Sequence, residues 1–193
     1  MKKNPVIFLF ALCPLVPVSA RFGYALVMAL ALCWYFLTGI AFRELVKKLD
    51  LSSAGPTVEL VALAFSATVY YLILRWMIPT LAVSLGLYVF VSAFSYLLLL
   101  GIDTFSSDSL ESIPLMQFVP TLILFSAVRE LLGFGTISLP VPEGLMVVPV
   151  LPGFSSYGIR FWGTTGGAFI LLGVLAWAAK YFHRRISSFR RNA

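Results

Sequence analysis

The sequence predicts an all-α integral membrane protein with about six transmembrane segments, arranged as an inverted repeat of three plus three with interrupted helices. Three observations predict it. Of the 193 residues, 60% are hydrophobic and 11% charged, where a soluble domain carries about 25% charged residues. Six stretches, 5–20, 22–42, 60–74, 76–102, 113–128 and 161–179, contain no Asp, Glu, Lys or Arg. Proline or glycine interrupts the first and last of them. A helix crossing the hydrocarbon needs about 20 apolar residues. The second, fourth and sixth stretches reach that length alone, and the others need flanking residues, tilt or partial insertion. No soluble domain is left over, so the chain reads as one transmembrane domain, 1–193, with inverted halves of about 1–79 and 80–193.

The first segment carries Cys13 in its middle, with Pro14 directly after it and Pro17 further on. Proline lacks a backbone donor and crowds the carbonyl four residues back, so the carbonyls of Phe10 and Cys13 are expected to be freed. In hydrocarbon such groups are tolerated only inside protein or beside a water-filled cavity. The segment is therefore expected to face other protein, with its thiol near mid-membrane. Lys2, Lys3 and the Val18-Ser19-Ala20 triplet imitate a secretory signal, but Phe22 opens another apolar span after the single Arg21, which favours a retained first helix. The second span holds Cys33, read as a small packing residue with a ligand role as the alternative.

Glu59 and Arg75 bracket the third span, where long side chains reach the headgroups; an ion pathway is the functional alternative. In an inverted repeat, functional sites fall near the midplane at interrupted helices, so the fourth span is expected to be interrupted like the first. After the fifth span come Arg129 and Glu130, which as neighbours cannot face one another on a helix and are expected to tie down the connection that follows. That connection, 133–158, is rich in Gly and Pro. It is too broken for a helix and too apolar for an ordinary loop, so it is expected to lie in the outer interface or under a partner. Gly163-Thr164-Thr165-Gly166-Gly167 marks an interruption in the sixth span, where backbones can approach closely.

Basic residues set the orientation, since cytoplasmic loops are enriched in Lys and Arg. With the N-terminus inside, Lys2, Lys3, Arg43, Lys47, Lys48, Lys180, Arg184, Arg185, Arg190 and Arg191 fall on the inner face, against Arg21, Arg75, Arg129 and Arg160 outside. Both termini are thus expected in the cytoplasm, and the net charge of +6 follows from topology. The basic tail around His183 is expected to meet anionic lipid rather than nucleic acid. Asp103, Asp108 and Glu111 form an acidic inner loop, read as solvated.

Three motifs occur in order: Leu12-Cys13-Pro14-Leu15, Val128-Arg129-Glu130-Leu131-Leu132-Gly133-Phe134-Gly135-Thr136, and Gly167-Ala168-Phe169-Ile170-Leu171-Leu172-Gly173. Together they resemble the integral six-helix subunits of the Rnf and sodium-pumping Nqr electron-transport complexes, most closely the E subunit of Rnf and the D subunit of Nqr. The resemblance implies a bacterial inner-membrane subunit of a redox-driven ion pump, carrying electrons across the membrane with an inverted sister six-helix subunit. It also implies a 2Fe–2S cluster shared between the two sisters, each supplying two cysteines from half-helices one and four, with flavins on other partner subunits. Four thiolates are the usual ligand set for such a centre. Cys13 falls on the first ligand position. The second falls on Tyr96, and the remaining cysteine, Cys33, is in another span. The chain thus departs from the family pattern, as a divergent paralogue with an altered centre would.

The sequence shows no phosphate-binding loop, dinucleotide-binding fingerprint or zinc-spaced cluster, and its single histidine is in the tail. Catalysis by this chain alone is not expected. A different class also suits a small basic six-span protein: the substrate-binding membrane component of a vitamin-type transporter, which would need none of the three motifs.

Overall fold

The computed structural model of the protein describes residues 11–48, 55–101, 113–150, 160–175 and 177. They form four long helices, α1 (Phe22–Lys48), α2 (Gly55–Met77), α3 (Pro79–Gly101) and α4 (Ile113–Phe134), then a hairpin of β1 (Thr136–Val141) and β2 (Gly144–Pro149). A short apolar helix, α5 (Thr165–Leu175), follows. By length and composition, four stretches among the described residues are able to cross a membrane: Phe22–Val46, Thr57–Met77, Pro79–Leu97 and Gln117–Phe134. The protein is therefore a mostly helical, multi-pass membrane protein, with four helices among the described residues long and apolar enough to span. The first and last expected spans lie partly outside the described residues. The acidic loop 103–111 and the basic tail with His183 lie outside the described residues.

Helices α1, α2 and α3 form a packed bundle. Val27, Met28, Leu32 and Tyr35 of α1 are buried, as are Leu63 and Ala67 of α2 and Leu81, Leu85 and Val89 of α3, in one continuous core. Only Ile78 separates α2 from α3. A residue before proline is disfavoured in the α region, so α2 stops there. Pro79 restarts the chain at a helix N-terminus, where its missing N–H costs nothing. The Tyr71 and Phe90 rings lie 6.1 Å apart, so the two helices pack together beyond their link.

The expected interruption of the fourth span is absent. Over its described length α3 is continuous, because its proline sits at the start and no Pro follows to remove an internal hydrogen bond.

The first segment is interrupted as expected. Ala11 and Leu12 are helical, and then the chain tightens into 3-10 turns at Cys13–Leu15 and Val18–Ala20. The Cys13 carbonyl is nevertheless not freed: it accepts the Val16 N–H at 3.2 Å. A tighter turn recovers the bond that Pro17 denies to an α-helix. The last expected span divides into a 3-10 turn at Arg160–Gly163 and the start of α5. Thr164 caps that start, its hydroxyl accepting the Gly167 N–H at 3.2 Å.

Within the Gly/Pro-rich connection, Thr136–Val141 and Gly144–Pro149 form a two-stranded antiparallel hairpin. Thr136 pairs with Pro149 and Val141 with Gly144 across a two-residue turn, Pro142–Glu143. Gly144 takes φ 139°, a backbone conformation open to glycine. The hairpin packs on the N-terminal end of α1, where the Gly23 N–H donates to Ser138 Oγ at 3.2 Å.

Candidate functional site

The interrupted segments meet at α4, and the charged pair near its end organises them. Arg129 is 1% exposed. A guanidinium carries five N–H donors, and five hydrogen bonds leave this one. Nε donates to the Trp162 carbonyl at 3.0 Å, and Nη2 to those of Gly163 at 2.9 Å and Thr164 at 3.1 Å. Nη1 donates to the Val16 carbonyl and, at 2.9 Å, to Ser19 Oγ. One side chain therefore binds backbone oxygens from both broken segments, groups that regular helix would otherwise satisfy. The Ser126 hydroxyl of α4 adds a 2.9 Å bond to the Ser19 carbonyl.

Glu130 is fully buried and points to a different set of partners. Its Oε2 accepts the Phe22 N–H at 2.6 Å and the Ser138 hydroxyl at 2.8 Å. Its Oε1 accepts from Thr136 Oγ1 at 3.3 Å and Arg21 Nη1 at 3.4 Å. A carboxylate at the first N–H of α1 is also favoured by the helix dipole. The two neighbours thus tie down opposite things: Arg129 the broken segments, Glu130 the hairpin and the start of α1. Arg21 is further held over the Phe134 ring, 4.6 Å from its centroid.

The remaining sequence candidates are dispersed. Cys13 is half-buried in its 3-10 turn, whereas Cys33 is exposed on α1, on the face that also exposes Leu30 and Leu37. Tyr96 is buried, 4% exposed, with its ring 6.3 Å from Tyr35 and its hydroxyl against Gly39. Glu59 pairs with Arg43 of α1, its Oε1 accepting Nε at 2.9 Å and Nη2 at 2.6 Å. Arg75 is exposed in the last turn of α2.

Among the described residues no group of three or more His, Cys, Asp or Glu is gathered where it would hold a metal. A shared iron–sulfur cluster does not fit this donor set. It would require two thiolates from this chain at one place, and the two cysteines present are one half-buried in the broken segment and one exposed on α1. The expected second position is a phenol packed against α1. Ser19 was missed as a site residue by sequence reasoning, which saw in it only part of a signal-like triplet. The signal that would have found it is a small hydroxyl between a proline break and Arg21.

Residues 1–176 match the family described as Rnf-Nqr subunit, membrane protein. A protein of Treponema pallidum (strain Nichols), described as uncharacterized, is 30% identical over 179 residues, covering 92% of this chain and 89% of its own.

Proposed function

The chain belongs to the Rnf-Nqr family of membrane subunits, and from that premise we propose that it is the scaffold half of an inverted pair within a redox-driven, ion-translocating complex. Family membership makes it a multi-pass membrane subunit of an Rnf/Nqr-type assembly with other subunits. The finer reading is that it sits in a bacterial inner membrane, both termini cytoplasmic, beside a sister of opposite orientation. Electrons would cross the membrane through that pair, with donor-side flavins on other subunits. The observation that carries the reading is the Arg129 latch. It fixes two interrupted segments against one another by their backbone oxygens, the kind of broken, protein-facing backbone that membrane transport folds place at functional interfaces.

Within this reading the chain departs from a four-thiolate centre. It supplies a single thiol, Cys13, at the broken segment, and no step is assigned to a cluster here. Electron paramagnetic resonance of the intact, reduced complex tests this. The expected result is no ordinary 2Fe–2S signal that depends on both Cys13 and Cys33. A standard four-cysteine spectrum lost on Cys13→Ser would show that this chain does contribute to such a centre.

A further inference from the structure

The β1–β2 hairpin has two faces, because successive strand residues alternate sides and directly paired residues share one. Its inner face carries Ser138 and Leu145. The Ser138 hydroxyl is buried between the Gly23 N–H and Glu130, and Leu145 packs on the bundle core. The outer face carries Ile137, Leu139 and Val141, paired with Val148, Met146 and Gly144. None of these has a polar side chain, and Leu139 and Met146 stand directly opposite each other at 41% and 56% exposed. An antiparallel pair with one face in water normally turns polar residues to that side. Here the single charged residue of 131–150 is Glu143, at the turn.

The position of the tip says what covers this face. A Cβ at Gly144 would lie 3.6 Å from Thr80 Oγ1, so the tip abuts the first turn of α3. Thr80 is exposed, and it heads a helical stripe with Val83, Leu87, Phe90 and Phe94 that is turned away from the bundle, Val83 being 84% exposed. The hairpin therefore meets the apolar perimeter of the spans and not only their ends. Just across the Ile78 link, Arg75 and Trp76 are exposed, the indole at 87%. Tryptophan concentrates at the membrane–water boundary, and a long arginine beside it reaches the headgroups, so this corner marks the depth of that boundary. A deeper position is excluded, since the open edges of a two-stranded sheet have no hydrogen-bonding partners in hydrocarbon.

We propose that the hairpin is an interfacial anchor, with its outer face set among lipid acyl chains just beneath the headgroups, continuous with the outward stripe of α3. Glu143 and Arg75 reach the headgroup layer. Through Ser138 the anchor holds the start of α1 at a fixed depth. It follows from the geometry of this chain and does not rest on the complex proposed above.

The test places a bimane label on Met146→Cys, Leu139→Cys or Glu143→Cys of the full chain, each in a Cys33→Ser background whose own signal is subtracted. The proteins are held in phosphatidylcholine nanodiscs, plain or brominated in the upper part of the acyl chains, with Val83→Cys as the outward-facing reference. Labels at Met146 and Leu139 are expected to lose most of their emission to the brominated lipid, as at Val83, and little to aqueous iodide. The Glu143 label is expected to show the reverse. Iodide quenching at Met146 as strong as at Glu143 would put the face in water and overturn the anchor. In the isolated complex the Met146 label is expected to remain quenched by brominated lipid. Shielding from both quenchers there would mean that a protein partner covers the face, which would equally overturn it.

Discussion

In the bundle of α1, α2 and α3, each backbone satisfies itself, and side-chain hydroxyls such as Tyr35 and Tyr70 merely add bonds to carbonyls of regular helices. Around the interrupted segments the reverse holds: one guanidinium serves the backbone oxygens of Trp162 and Gly163 and shares those of Val16 and Thr164 with the Ser19 hydroxyl and the Ala168 N–H, and one carboxylate serves the first N–H of α1. Along the unbroken helices of the bundle the described charged side chains are at least partly exposed, as in the Arg43–Glu59 pair and at Arg75. Where it breaks, charge is buried. The difference teaches that Arg129 and Glu130 are required by the interruptions and not by the spans.

That contrast is broken most severely at Arg129. Arg129→Met leaves the Trp162 and Gly163 carbonyls without their donor, each costing about 1–3 kcal/mol if buried, and cuts the tie to Val16 and Ser19 of the first broken segment. The unfolding midpoint in mild detergent should fall steeply, or the protein should not accumulate. Glu130→Gln keeps the shape but weakens the charge-assisted bonds to Phe22 and Ser138, with an expected loss of about 2 kcal/mol. Hydrogen exchange should show that loss at the hairpin and the first turn of α1, while α2 and α3 stay protected. Gly167→Ala sharpens the comparison further, because a Cβ at this position would overlap the Phe161 carbonyl. Overpacking of that kind costs about 1–3 kcal/mol, and proteolysis should then increase around Arg160–Gly163 before the bundle opens. The smallest effect belongs to Cys33→Ser on the exposed face of α1, where the midpoint should change by less than about 0.5 kcal/mol equivalent.

Much of this contrast could be read in the residues. Pro14 and Pro17 announced the first interruption, Gly163 through Gly167 the last, and the adjacency of Arg129 and Glu130 required them to serve different partners. Other features could not be read. The interruption expected in the fourth span came from analogy with the first, and α3 instead runs unbroken from Pro79. The hairpin was hidden by Pro140, Pro142 and Pro149, although Thr136, Ile137, Val141, Val147 and Val148 carry the β-branched composition of strands. The partners of Arg129 lie 110 to 113 residues before it and 33 to 35 after it, and no local pattern encodes such pairings. The seat of the Tyr96 hydroxyl was likewise invisible, since it depends on Gly39 of a different helix lying against it.

The central claim is that this chain works as one subunit of a larger redox complex. Affinity isolation of the tagged protein after gentle detergent extraction, with identification of the co-isolated proteins and their bound cofactors, tests it most directly. The account predicts recovery with a second multi-span membrane protein and with flavin-bearing subunits, an association that weakens when Arg129 is replaced. Recovery as a stable, solitary monomer holding a small organic ligand would contradict it.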